Sequence, residues 1–92
     1  MLYLANTVDP ELGLLWTEES YTPGPEWQPG VFGIGYETDS GAEMLITTQL
    51  TPAPGITSAY TRVTVDIPDA GAVLRVLVGA DYDDGYAAWV NG

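Results

Sequence analysis

The densest group of chemically competent side chains lies in Asp81-Tyr82-Asp83-Asp84-Gly85-Tyr86. Three carboxylates within four residues repel one another unless water solvates them or a cation neutralises them. Calcium takes about six to eight oxygen ligands, often from closely spaced aspartates and backbone carbonyls. Asp81, Asp83 and Asp84 are therefore a candidate calcium site, and calcium is the one cofactor the sequence suggests. The spacing is not that of an EF-hand loop, which needs a longer ligand series ending in glutamate. The alternative is a hairpin loop whose acids are simply solvated. Beside these acids stand Tyr82, Tyr86 and Trp89. Aromatic faces suit the apolar faces of sugar rings, so these three are the candidate ligand-binding residues. Trp16 and Trp27 read instead as fillers of a thin core.

Catalysis is poorly served. The chain has no histidine, cysteine or lysine to act as base or nucleophile. A pair of carboxylates hydrolyses glycosides in many enzymes. With thirteen acids, however, some pair at a workable separation is nearly unavoidable and carries no information. Gly33-x-Gly35 is not a phosphate loop, because it lacks the third glycine, the lysine and the following helix. The sequence is read as non-enzymatic.

Thirteen acidic residues against two arginines give a net charge of −11. That charge repels phosphate backbones and anionic membranes, so nucleic acid and membrane insertion are not expected. Divalent cations, neutral sugars and basic proteins remain as partners. No apolar run approaches the roughly 18 residues that span a bilayer. Met1-Leu2-Tyr3-Leu4-Ala5 lacks the basic start and the length of a signal peptide, so an export signal is expected outside this chain. The absence of cysteine excludes disulfides and thiolate metal sites.

The elements that must position these residues are short. Ninety-two residues make one domain at most, and seven prolines and eleven glycines cut the chain into strand-sized pieces. Leu2–Ala5, Leu14–Thr17, Val31–Tyr36 and Glu43–Leu50 are strand candidates, separated by turn chemistry such as Thr22-Pro23-Gly24-Pro25 and Pro29-Gly30. Tyr60–Ile67 alternates, with Val63, Val65 and Ile67 on one side and Arg62, Thr64 and Asp66 on the other, the pattern of a half-buried strand. Val73–Val78 reads as a central strand covered on both faces, so Val63, Val65, Ile67, Val76 and Val78 are expected among the most buried side chains. Asp84-Gly85 predicts a hairpin turn, with Tyr86–Val90 as the returning strand. Asn91-Gly92 is a second strong hairpin signal with no strand after it, so a partner strand is expected beyond this chain, the fold being completed by roughly 30–60 further residues.

The segment Asp81–Gly92, with its Tyr82-Asp83-Asp84-Gly85 turn and Asn91-Gly92 end, resembles a motif of jelly-roll modules in the galactose-binding-like superfamily, found in large secreted bacterial proteins. Three upstream features agree in order. Trp27 followed by Gly33-Ile34-Gly35-Tyr36-Glu37-Thr38 is similar to the family's tryptophan and GxGYE segment. Tyr60-Thr61-Arg62-Val63-Thr64-Val65 is similar to its YxRxxF strand. The chain departs from the family at Ser20–Pro25, where the family often carries a paired-aspartate loop. The resemblance runs from about Trp16 to Gly92. It implies an all-β antiparallel sandwich of jelly-roll type over residues 1–92, incomplete at the C-terminus and forming the N-terminal part of a longer domain. It implies a non-catalytic, carbohydrate-binding accessory module of a secreted or cell-surface multidomain protein, with neighbouring domains of the same polypeptide as partners. The alternative is a purely structural spacer stabilised by calcium. Lectin domains of the protective-antigen type, which use an Asp-Asp pair to bridge calcium to sugar hydroxyls, provide the analogy for Asp83 and Asp84.

Overall fold

Strand β1 forms at Leu2–Asn6, where apolar and aromatic residues with no glycine or proline favour extended backbone. The computed structural model describes residues 1–92. In it β1 is the centre of a three-stranded antiparallel sheet of order β2-β1-β5, with β2 at Gln28–Pro29 and β5 at Ser58–Arg62. Pro29 lies on an edge strand, where its missing N–H removes no ladder bond. The register sets Leu2 opposite Arg62 and Asn6 opposite Ser58. Asn6 is buried, and its Nδ2 donates to Ser58 Oγ at 3.2 Å. Its carbonyl accepts from the Thr57 N–H at 2.7 Å and from Thr57 Oγ1 at 3.0 Å. The β1 and β5 strands are thus tied at the end away from Arg62.

A second, two-stranded ladder runs parallel, pairing β3 (Ile34–Gly35) with β4 (Thr48–Gln49). Parallel neighbours need a crossover, and here it contains a single 3₁₀ turn at Glu43–Leu45. Gly33 makes the close approach. Its φ is +64°, and an added Cβ would collide with the Leu45 carbonyl oxygen. Its own carbonyl accepts from both Thr47 N–H (2.8 Å) and Thr48 N–H (2.9 Å). The Thr48 hydroxyl closes the other side, accepting from Val31 N–H at 2.9 Å and donating to the Val31 carbonyl at 2.7 Å.

The molecule is mostly non-helical, with antiparallel strands in a sheet; its helical structure consists of the 3₁₀ turns Leu15–Thr17, Glu43–Leu45 and Ala70–Ala72. No helix is long and apolar enough to cross a membrane. Of the expected strands, Leu2–Ala5 forms. Val31–Tyr36 retains only β3, Glu43–Leu50 divides into a 3₁₀ turn and β4, and Leu14–Thr17 becomes a 3₁₀ turn. The alternating segment pairs only as far as Arg62. The reason is the register: Leu2 is the first residue of β1 and already faces Arg62, so no β1 residue opposes Val63. Val73–Val78 and Tyr86–Val90 form no strand.

The expected core is corrected accordingly. Val63, Val65, Ile67, Val76 and Val78 are all exposed, and the buried side chains are instead Trp27, Leu50 and Asn6. Alternation buries a face only where a second layer covers it, and none covers residues 63–78. The accessible surface is 7243 Å², against about 5,200 Å² for a compact monomer of this mass. The radius of gyration is 14.7 Å, against about 12 Å for a close-packed chain of this length.

Candidate functional site

At the expected Asp84-Gly85 hairpin turn the chain makes only a local bend, with positive φ at Asp84 but not at Gly85 and no returning strand. Gly85 N–H donates to the Asp83 carbonyl at 3.1 Å, and Asp84 N–H donates to Asp83 Oδ1 at 3.1 Å. Asp84 has φ +71°, a conformation aspartate tolerates better than most residues. Asn91 and Gly92 also have positive φ. The Asp83 side chain therefore sets the local bend at Asp83-Asp84.

The three acids of the candidate metal site are neighbours in sequence, but their carboxylates do not converge. No group of three or more acidic side chains is arranged to hold a metal ion. One Asp83 oxygen is already engaged by the backbone of its own turn. The candidate ligand-binding residues fare differently. The rings of Tyr82 and Tyr86 come together with centroids 4.7 Å apart at an interplanar angle of 57°, bridging the Asp83-Asp84 turn. Tyr82 is 58% exposed and Tyr86 53%. Trp89 is 43% exposed and meets Trp16 edge to face at 5.4 Å.

Trp16 is the hub of a wider aromatic cluster. It stacks on Tyr60 at 4.4 Å and 13°, and lies 6.3 Å from Trp27. Trp27, buried as expected, donates its Nε1–H to the Tyr21 hydroxyl at 3.3 Å. Arg62 enters from β5: its Nη1 donates to the carbonyls of Trp16 and Glu18, and its guanidinium carbon sits 5.4 Å over the Tyr21 ring. The cluster joins the Leu15–Thr17 turn, β5 and the segment that ends in Trp89. Residues from all three, Trp16, Tyr60 and Trp89 among them, line a broad concavity open to solvent.

Sequence reasoning missed Arg62 and Tyr21. Arg62 reads as a solvated outward residue of an alternating strand, whereas it braces the turn before β2. The available signal was its isolation, as one of only two cations in a chain with thirteen acids. Trp16, expected in the core, is half-buried and central to the cluster. Comparison of the chain with protein-family models, with curated proteins and with solved structures returns no match.

Proposed function

We propose that the chain is a non-catalytic, carbohydrate-binding accessory module of a secreted or cell-surface multidomain protein, built as a jelly-roll β-sandwich when its exposed apolar segments are covered. The observation that carries the reading is the exposed aromatic surface of Tyr82, Tyr86 and Trp89. Three large rings within eight residues stand open to solvent, where tyrosine and tryptophan present an apolar body and a polar edge. A sugar ring offers the matching surface: an apolar face to stack and hydroxyls at its rim. Asp83 and Asp84, beside the tyrosine pair, provide acceptors for such hydroxyls without catalysis.

A glycan array followed by titration of hit oligosaccharides, read by tryptophan emission, tests this. The expected result is a shift or quench at up to millimolar ligand that is lost in Trp89→Ala and weakened in the double variant Tyr82→Ala, Tyr86→Ala. Emission that no glycan changes would leave the aromatics without this role.

A further inference from the structure

The guanidinium of Arg62 is only partly used. Nη1 donates to the carbonyls of Trp16 and Glu18, while Nε–H and Nη2 donate to nothing in the chain. An arginine carries five N–H donors in a rigid fork that matches a carboxylate two bonds at a time. The side chain is held in place by its carbonyl contacts and by the Tyr21 ring below it. A cleft of about 370 Å³ opens beside it, with Glu19, Tyr21, Pro23, Val63 and Thr64 among its walls.

A purely structural brace accounts for Nη1 and for nothing else. Thirteen carboxylates are available in the chain, yet none bonds to this fork. Glu19 lines the same cleft without doing so. We propose that the Arg62 cleft holds the carboxylate of an acidic sugar, a uronic acid residue, with its ring against Tyr21 and Pro23. The proposal rests on the carbohydrate-binding reading and gives it a substrate class. The cleft lies at the small end of ligand pockets, which suits one sugar ring rather than a length of peptide. The net charge of −11 does not forbid an anion here, because charges beyond about 8 Å are screened at physiological salt. The opposing charge that matters is local, and it belongs to Glu19.

The test uses the intact chain and calorimetric titration with three probes: trigalacturonate, its methyl ester, and a neutral galactose trisaccharide. Trigalacturonate is expected to bind about tenfold or more tightly than its ester, since a charge-assisted bidentate pair is lost on esterification. Arg62→Lys, which keeps the charge but not the fork, should lose most of that margin. Glu19→Gln, which leaves the brace intact, should tighten trigalacturonate severalfold. Equal binding of acid and ester, or no gain in Glu19→Gln, overturns the proposal even where Arg62→Lys fails to fold. Binding of the neutral sugar with no preference for the acid overturns the proposal and leaves the carbohydrate reading standing. Binding of none of the three, together with a silent glycan array, removes both.

Discussion

At φ +71°, Asp84 sits where a residue's own side chain can stabilise a turn. The Asp83 carboxylate takes one of the turn's N–H groups. With that oxygen engaged and no three acids converging, calcium finds no ready cage. Millimolar calcium, and its removal by chelator, are therefore expected to leave the melting temperature unchanged. A rise in melting temperature that disappears in the double variant Asp83→Asn, Asp84→Asn would instead establish a cation at Asp81, Asp83 and Asp84, since a ligand of the folded state stabilises by mass action. The φ values at Asp84 and Asn91 were legible in the sequence because they depend on a residue and its immediate neighbours. The role of Arg62 was not. It is fixed by carbonyls 46 and 44 residues away, which no local pattern encodes.

Among the elements, the parallel ladder of β3 and β4 depends on a single carbonyl that serves two N–H donors, and that carbonyl belongs to a left-handed glycine. Gly33→Ala is expected to destabilise the protein by about 1–3 kcal/mol, the cost of forcing a side chain into this conformation, with backbone clash at Leu45 in addition. Urea melts measure it, and an unchanged midpoint would mean that the ladder contributes nothing to stability. The 3₁₀ turn at Glu43–Leu45 has an acid-sensitive end. The Glu43 carboxylate accepts from the Gly41 N–H at 2.7 Å, and this bond, with a second from its own backbone N–H, holds its pKa below the ordinary carboxylate value. A depressed folded pKa means that the turn's extra stability is present above the ordinary value and is lost as pH falls through the lowered one. Amide NMR should show Gly41 N–H shifting along that titration, and Glu43→Gln should abolish the shift. Strand propensity in the sequence covered β1 except Asn6, β3 and β4 inside longer candidates, and the Tyr60–Arg62 part of β5. It failed for residues 63–67 because the length of β5 was set by its register with β1, a tertiary fact, and for residues 73–90 because no neighbouring strand pairs with them.

The whole molecule combines a strongly negative charge with a large exposed apolar surface. Its accessible area exceeds that of a compact chain by roughly 2,000 Å², comparable to the area buried in a standard protein–protein interface. Leu74 and Leu77 stand almost fully in solvent, and β5 is an edge strand with one side unpaired. Such an edge templates pairing with other chains, and mutual repulsion between copies at −11 opposes it. Sodium chloride is therefore expected to act in two directions, raising the melting temperature by screening repulsion within the chain and promoting association by screening it between chains. Light scattering and thermal melts between low and molar salt check both, and a melting temperature that falls with salt would contradict the first. Finally, the pairing of β1 with β5 has a consequence for the timing of folding. Asn6 and Ser58 are 52 residues apart, and closing a loop of that size costs about 3.5 kcal/mol from the length-dependent part alone. At about 5–20 residues per second, roughly 3–10 s separate the synthesis of Asn6 from that of Ser58, and for that interval β1 has only the two-residue strand β2 to pair with.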